Sequence, residues 1–200
     1  MAKTTPSRKS PPKTAKKSIS PKKPTKTKSP AGSKSPAKAA GKTAAKSLPE
    51  AGQKAPAFSL PTDDGKKISL KSFAGKKLVL YFYPKDDTPG CTVEALGFTA
   101  LKSAFEKAGA KVVGISKDSV AAHCKFRDKH NLSITLASDE TGDALAAYGV
   151  WGEKKLYGRT FMGITRSTFL IDEKGVIAKV WPKVKVNGHP EEVLAAVKAL

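Results

Sequence analysis

The sequence predicts an α/β sandwich, a mixed central sheet flanked by helices, behind a long basic segment that builds no core of its own. Three observations predict it. A continuous apolar run, Leu78-Val79-Leu80-Tyr81-Phe82-Tyr83, is closed by Pro84. Strand-like and helix-like stretches then alternate as far as Tyr148, and the chain finishes with two strand-like stretches around a turn and a final helix. Two hundred residues suffice for one such domain and an appendage, but not for two full domains.

The charge is unevenly spread. Of the formal +20, the first 50 residues hold 14 Lys plus Arg against the single acid Glu50, about +13, and the other 150 hold about +7. Up to Lys46 the segment has no aromatic residue, and Ile19 is its one large aliphatic side chain. Such a stretch cannot bury enough apolar surface to offset its ordering entropy, so residues 1–47 are expected to be a disordered tail and residues 48–200 the folded domain. Ser20-Pro21-Lys22-Lys23, Ser29-Pro30 and Ser35-Pro36-Ala37-Lys38 resemble elements of linker-histone tails. Lysines along a flexible chain neutralise phosphates, so DNA is the expected partner of residues 1–47. A solubilising or targeting arm and an anionic membrane are the alternatives.

The domain's elements follow in order. Two short strands over 58–60 and 68–70 flank an Asp63-Asp64-Gly65-Lys66 turn. The apolar run over 78–83 reads as a strand covered on both faces. A helix is expected over 92–108, a strand over 111–116, a helix over 119–130, a strand over 134–137 and a short helix over 142–148. Strands over 168–171 and 176–181 enclose the Asp172-Glu173-Lys174-Gly175 turn. A helix over 191–200 follows Pro190, with two acids in its first turn.

Two cysteines are too few for a disulfide scaffold and point to thiol chemistry in a reducing compartment. The N-terminus lacks the apolar stretch of a secretory signal, and the longest apolar run is far short of a membrane span. The expectation is a soluble protein of a bacterial cytoplasm in contact with the nucleoid, with a eukaryotic nucleus as the alternative location.

The informative segment is Tyr83-Pro84-Lys85-Asp86-Asp87-Thr88-Pro89-Gly90-Cys91-Thr92-Val93-Glu94. It lies where a buried strand gives way to a helix, a usual place for a site in an open α/β sheet. Cys91 falls at the first helical turn, where unpaired N–H groups and the positive end of the helix dipole favour a thiolate, the form that attacks.

Pro84-x-x-x-Thr88-x-x-Cys91 resembles the active-site motif of the peroxiredoxins, and Lys85-Asp86-Asp87-Thr88-Pro89-Gly90-Cys91-Thr92 resembles their bacterioferritin comigratory protein, or peroxiredoxin Q, branch. Stretches around Gly114 to Ser119, Ala137 to Asp139, Tyr148 to Lys154 and Arg166 to Asp172 look like the same branch. The resemblance covers about residues 48–200 and implies a thioredoxin-like fold. It makes Cys91 the peroxidatic cysteine, with Thr88 hydrogen-bonding the thiolate and peroxide, Pro84 shaping and shielding the loop, and Arg166 stabilising the thiolate and the charge developing on oxygen. It further implies an antioxidant enzyme reducing hydrogen peroxide and organic hydroperoxides, recycled by thioredoxin or another thiol reductant; a monomer is expected.

One position departs from the pattern. Many members of the branch carry a resolving cysteine five residues after the first, and that position here is Leu96. Others carry one on the helix expected over 119–130, about a turn beyond Cys124, at Arg127 here. Cys124 sits at the flank of that helix's apolar arc, so it is either a resolving residue or an incidental small one in an enzyme resolved by an external thiol. His123 reads as a packing or capping residue, His130 as helix-end surface, and Trp151 and Trp181 as core-packing. No phosphate loop, nucleotide fingerprint or metal-ligand spacing is present, so neither cofactor nor metal is expected. The competing reading is a DNA-binding, chromatin- or nucleoid-associated protein whose folded domain is secondary.

Overall fold

The computed structural model describes residues 47–156 and 158–200. Except for Ser47, the expected disordered tail therefore lies outside the described residues. A short hairpin, β1 (Ser59–Pro61) and β2 (Lys67–Ser69), leads through a 3-10 turn to β3 (Lys77–Phe82). Next come α1 (Pro89–Lys107), β4 (Ala110–Ser116), α2 (Val120–His130), β5 (Thr135–Ser138) and α3 (Asp143–Ala147). A second hairpin, β6 (Trp151–Leu156) and β7 (Arg159–Ile164), precedes β8 (Ser167–Ile171), β9 (Ile177–Trp181) and α4 (His189–Ala199).

The main sheet has the order β5-β4-β3-β8-β9, with β3, β4 and β5 parallel and β8 and β9 antiparallel to their neighbours. This is the mixed, helix-flanked sheet of the thioredoxin-like fold. Successive residues of β3 enter opposite cores, as strand geometry requires. Leu78, Leu80 and Phe82 pack with Phe58, Leu60, Leu145 and Tyr148, whereas Val79, Tyr81 and Tyr83 pack with Phe98, Phe105, Phe126 and Val193. The uninterrupted apolar run is thus a strand with a core on each face.

Three features differ from the sequence expectation. α1 begins at Pro89 rather than residue 92, because proline suits the first helical position, where no amide partner is lost, and Thr88 takes extended N-cap geometry before it. The last helix likewise begins earlier, at His189, with Pro190 in its first turn. The β6–β7 hairpin was not foreseen: its residues are mostly polar or glycine, and exposed Phe161 and Met162 give no half-buried alternation. It is anchored at its root, where Trp151 pairs with Ile164 against the core.

Candidate active site

β3 ends beside β4, where the Tyr83 amide donates to the Ile115 carbonyl at 3.1 Å, and the chain turns through residues 84–88 into α1. Thr88 has φ −88° and ψ 149°, Pro89 opens the helix, and Cys91 is its third residue, 1% exposed. The Gly90 and Cys91 amides, in the first turn, have no intrahelical acceptors, and the first such bond runs from the Thr92 amide to the Thr88 carbonyl at 2.9 Å.

The opposing cation comes from the neighbouring strand β8. Arg166 immediately precedes β8, and its Nη2 donates to Cys91 Sγ at 3.1 Å. Its Nη1 donates to Glu94 Oε2. Glu94 stands three residues after Cys91, on the same helix face, and is 0% exposed with Oε1 unpartnered. Burial pushes the Glu94 carboxyl up to about 7 despite the guanidinium beside it. For Arg166 burial opposes the charge, but Glu94 and Cys91 more than offset it and hold the guanidinium above its usual range. Lys154 brings a second cation towards Arg166 and Cys91 from β6, its ammonium donating to the Ile164 carbonyl. Burial, and then the Arg166 charge, lower its affinity for the proton.

Behind the thiol, the Tyr81 ring stacks on Phe98 with centroids 4.8 Å apart. It also covers Gly114, where a Cβ would come within 2.5 Å of Tyr81 Cζ, so β4 needs glycine there. Burial and then Glu94 hold the Tyr81 phenol well above its usual range, and it stays protonated.

The structure therefore brings Cys91 and Arg166 into contact. Pro84 is exposed on the loop before the helix, and the Thr88 hydroxyl donates to the Lys85 carbonyl at 3.2 Å, with no bond to Cys91. Cys124 lies elsewhere, half-buried on α2 with Sγ 3.2 Å from the Asp63 carbonyl, and both cysteines are free thiols. Arg127 reaches the same Asp63, with Nη1 2.8 Å from the carbonyl and 2.9 Å from Oδ2. His123 is fully buried against Asp86, and His130 is paired with Asp87. Trp151 packs against one core and Trp181 against the other. Among the described residues no helix is long and apolar enough to cross a membrane.

The reading from sequence assigned nothing to Glu94. The available signal was a carboxylate on the stripe of Cys91, Ala95 and Phe98, since a charge on a buried helix face requires a partner.

The chain matches the model of the AhpC/TSA family over residues 51–180. It is 58% identical to a putative peroxiredoxin bcp of Coxiella burnetii over 145 residues, 72% of this chain and 96% of that protein. It belongs to the peroxiredoxins, in their Bcp branch. The peroxiredoxin Bcp of Bacillus subtilis is 47% identical over 149 residues, 74% of this chain and 95% of that one. Among solved structures, the Xanthomonas campestris bacterioferritin comigratory protein, described for its alkyl peroxide reduction activity, superposes with a TM-score of 0.68 at 46% identity, covering 71% of this chain and 90% of that one. As a peroxiredoxin the chain is a peroxidase and an oxidoreductase, and a thiol at the start of α1 facing a guanidinium suits that chemistry.

Proposed function

We propose that Cys91 is the peroxidatic cysteine of a thiol peroxidase acting on hydrogen peroxide and organic hydroperoxides. The observation that carries the reading is the 3.1 Å contact between Arg166 Nη2 and the sulfur of a cysteine in the first turn of α1. The thiolate attacks the terminal oxygen of the peroxide, the S–O bond forms as the O–O bond breaks, and the departing alkoxide or hydroxide takes a proton from water. The products are Cys91 sulfenic acid and an alcohol or water. A fixed guanidinium meets the charge developing on oxygen without reorganising. Thr88, turning its hydroxyl away from the Lys85 carbonyl, donates to the reacting sulfur and oxygen, while Pro84 limits access to the loop.

The sulfenic acid condenses with a thiol, losing water and giving a disulfide that a second thiol then reduces. We assign that role to thioredoxin or another small dithiol, since Leu96 fills the usual position in α1 and Cys124 Sγ is held on the Asp63 carbonyl. Cys91→Ser should abolish peroxide consumption with the fold retained, and turnover comparable with the parent would refute the assignment. Intact mass after one equivalent of peroxide separates the resolving routes. A gain of about 16 or 32 mass units on Cys91 supports external resolution, and a loss of about 2 with both thiols blocked supports a disulfide with Cys124.

The charge of the first 50 residues favours a second role, sequence-independent binding of duplex DNA by residues 1–47. With no aromatic residue to stack on bases, single strands are not the preferred target. A monomeric peroxidase held on DNA in a bacterial cytoplasm would remove peroxide beside it.

A further inference from the structure

Side chains reaching α2 hold the loop that delivers Thr88 and Cys91. The Asp86 carboxylate is buried, and it accepts from the Tyr83 hydroxyl at Oδ1 and from His123 Nδ1 at Oδ2, each at 2.7 Å. Its own amide donates to Asp118 Oδ2 at 2.8 Å, two residues before α2. The next residue, Asp87, has φ 58°, which turns its carboxylate towards the other end of the same helix. There Oδ2 meets Lys129 Nζ at 2.6 Å and Oδ1 meets His130 Nε2 at 2.7 Å. Two consecutive carboxylates thus fasten the loop to the first and last turns of α2.

His123 is 0% exposed, and its Nε2 has no partner. A carboxylate only accepts, so Nδ1 donates to it, and Nε2 has no hydrogen-bond partner in the core. That nitrogen costs free energy there. As a packing residue, histidine is therefore worse than an apolar side chain of its size, and what it contributes is the bond to Asp86.

We propose that Asp86 and His123, reinforced outside by Asp87 on Lys129 and His130, are positioning residues for the peroxide reaction: a latch that sets Thr88 and the first turn of α1 against Arg166. The proposal rests on Cys91 being the nucleophile. Arg166 is fixed from β8 and the loop from α2, so the two halves of the site have separate supports. Releasing the loop shifts Thr88 and the first turn of α1, Cys91 included, relative to the guanidinium without removing the thiol. A displacement of roughly 1 Å costs as much as 100-fold in rate.

The test compares two reactions of Cys91 in the full chain. Hydrogen peroxide needs the aligned donors. Iodoacetamide, a neutral alkylating agent, needs only the thiolate. His123→Phe, which keeps the volume and removes the bond, should slow oxidation by about 10-fold or more while alkylation stays within about threefold. Asp86→Asn, which can still accept one bond, should fall between that variant and the parent. Asp87→Asn should slow oxidation by about two- to threefold at low salt and not at high salt, because an exposed pair is weak and screened. Equal losses in both reactions, or unchanged oxidation in His123→Phe, would overturn the proposal. Should His123→Phe fail to fold, Asp87→Asn decides, and full activity at low salt rejects the latch. Failure of the underlying reading shows separately, as a Cys91→Ser chain that still consumes peroxide.

Discussion

Replacing Arg166 with Met separates the chemistry of the site from its stability. The guanidinium has two buried dependants, the Cys91 sulfur at 3.1 Å and the Glu94 carboxylate. Losing a donor aimed at developing oxyanion charge costs about 100- to 1,000-fold in rate. Losing the cation beside a fully buried carboxyl has another signature. Glu94 already sits at about 7 against the ordinary 4.5 with Arg166 in place, so without it the carboxyl rises further and stays protonated at neutral pH. Because the folded value lies above the unfolded one, the stability that this proton supplies is complete below pH 4.5 and is lost as pH rises through the folded value. In the parent that loss is confined to about pH 4.5 to 7 and amounts to about 3 kcal/mol. In Arg166→Met it continues above pH 7, at up to about 1.4 kcal/mol per pH unit. Adding Glu94→Gln should remove the slope and restore much of the stability, while peroxide reduction stays slow. Urea unfolding from pH 5 to 9 and single-turnover oxidation by stopped flow measure the two quantities. Recovery of the rate in the double variant, or a rate for Arg166→Met within about threefold of the parent, would refute the reasoning.

Phe98→Ala should cost about 3–5 kcal/mol in urea unfolding, since the ring is 0% exposed between Tyr81 and Phe105; less than about 1 kcal/mol would mean that the site collapses freely. His189 is buried with Nε2 2.8 Å from Thr168 Oγ1, and burial lowers it to about 4 from 6.5. Unfolding therefore takes up a proton between those values, and stability should rise by about 3 kcal/mol from pH 4 to 6.5 on this account. His189→Gln should remove that rise, and an unchanged pH profile would count against it. Cutting the chain after residue 47 should abolish most duplex DNA binding in gel shifts and leave peroxidase activity intact, with the parent's log K falling by about 0.9 per phosphate for each log unit of salt. Equal DNA affinity with and without the segment would remove the basis for a tethered enzyme.

Most elements of the main sheet are legible because each carries its own periodicity. The apolar run of β3 announces two buried faces, and Ser119 caps α2 where the sequence places that start, whereas α1 opens at Pro89, three residues before the expected start. The β6–β7 hairpin is illegible for the opposite reason. Its backbone pairs over six registered positions, yet its side chains face solvent over much of its length, so no burial pattern is written into it. The cysteine proposed as the nucleophile stands out through its local motif. Its supports do not: Glu94 depends on a residue 72 positions away and Asp86 on one 37 positions away. Such pairs leave only an indirect trace, a charged or imidazole side chain on a stripe otherwise apolar.

The placement of Arg166 has a geometric cause that a mixed sheet makes obligatory. β8 runs antiparallel to β3, with Ser167 opposite Phe82, so the residue just before β8 lies beside the residue just after β3. That end of β3 is also where the chain must turn to start α1, since the neighbouring strand β4 is parallel and is reached through a helical crossover. The thiol on the crossover helix and the guanidinium ahead of the antiparallel strand therefore meet at one end of these two central strands, without either segment needing to be long. The same register makes the arrangement fragile. A slip of one residue in β8 would send alternate side chains to the opposite face, turning Arg166 from the Cys91 side while Phe169 and Leu170 exchanged cores. The β3–β8 pairing that buries those two apolar residues is thus the pairing that holds the cation 3.1 Å from the sulfur.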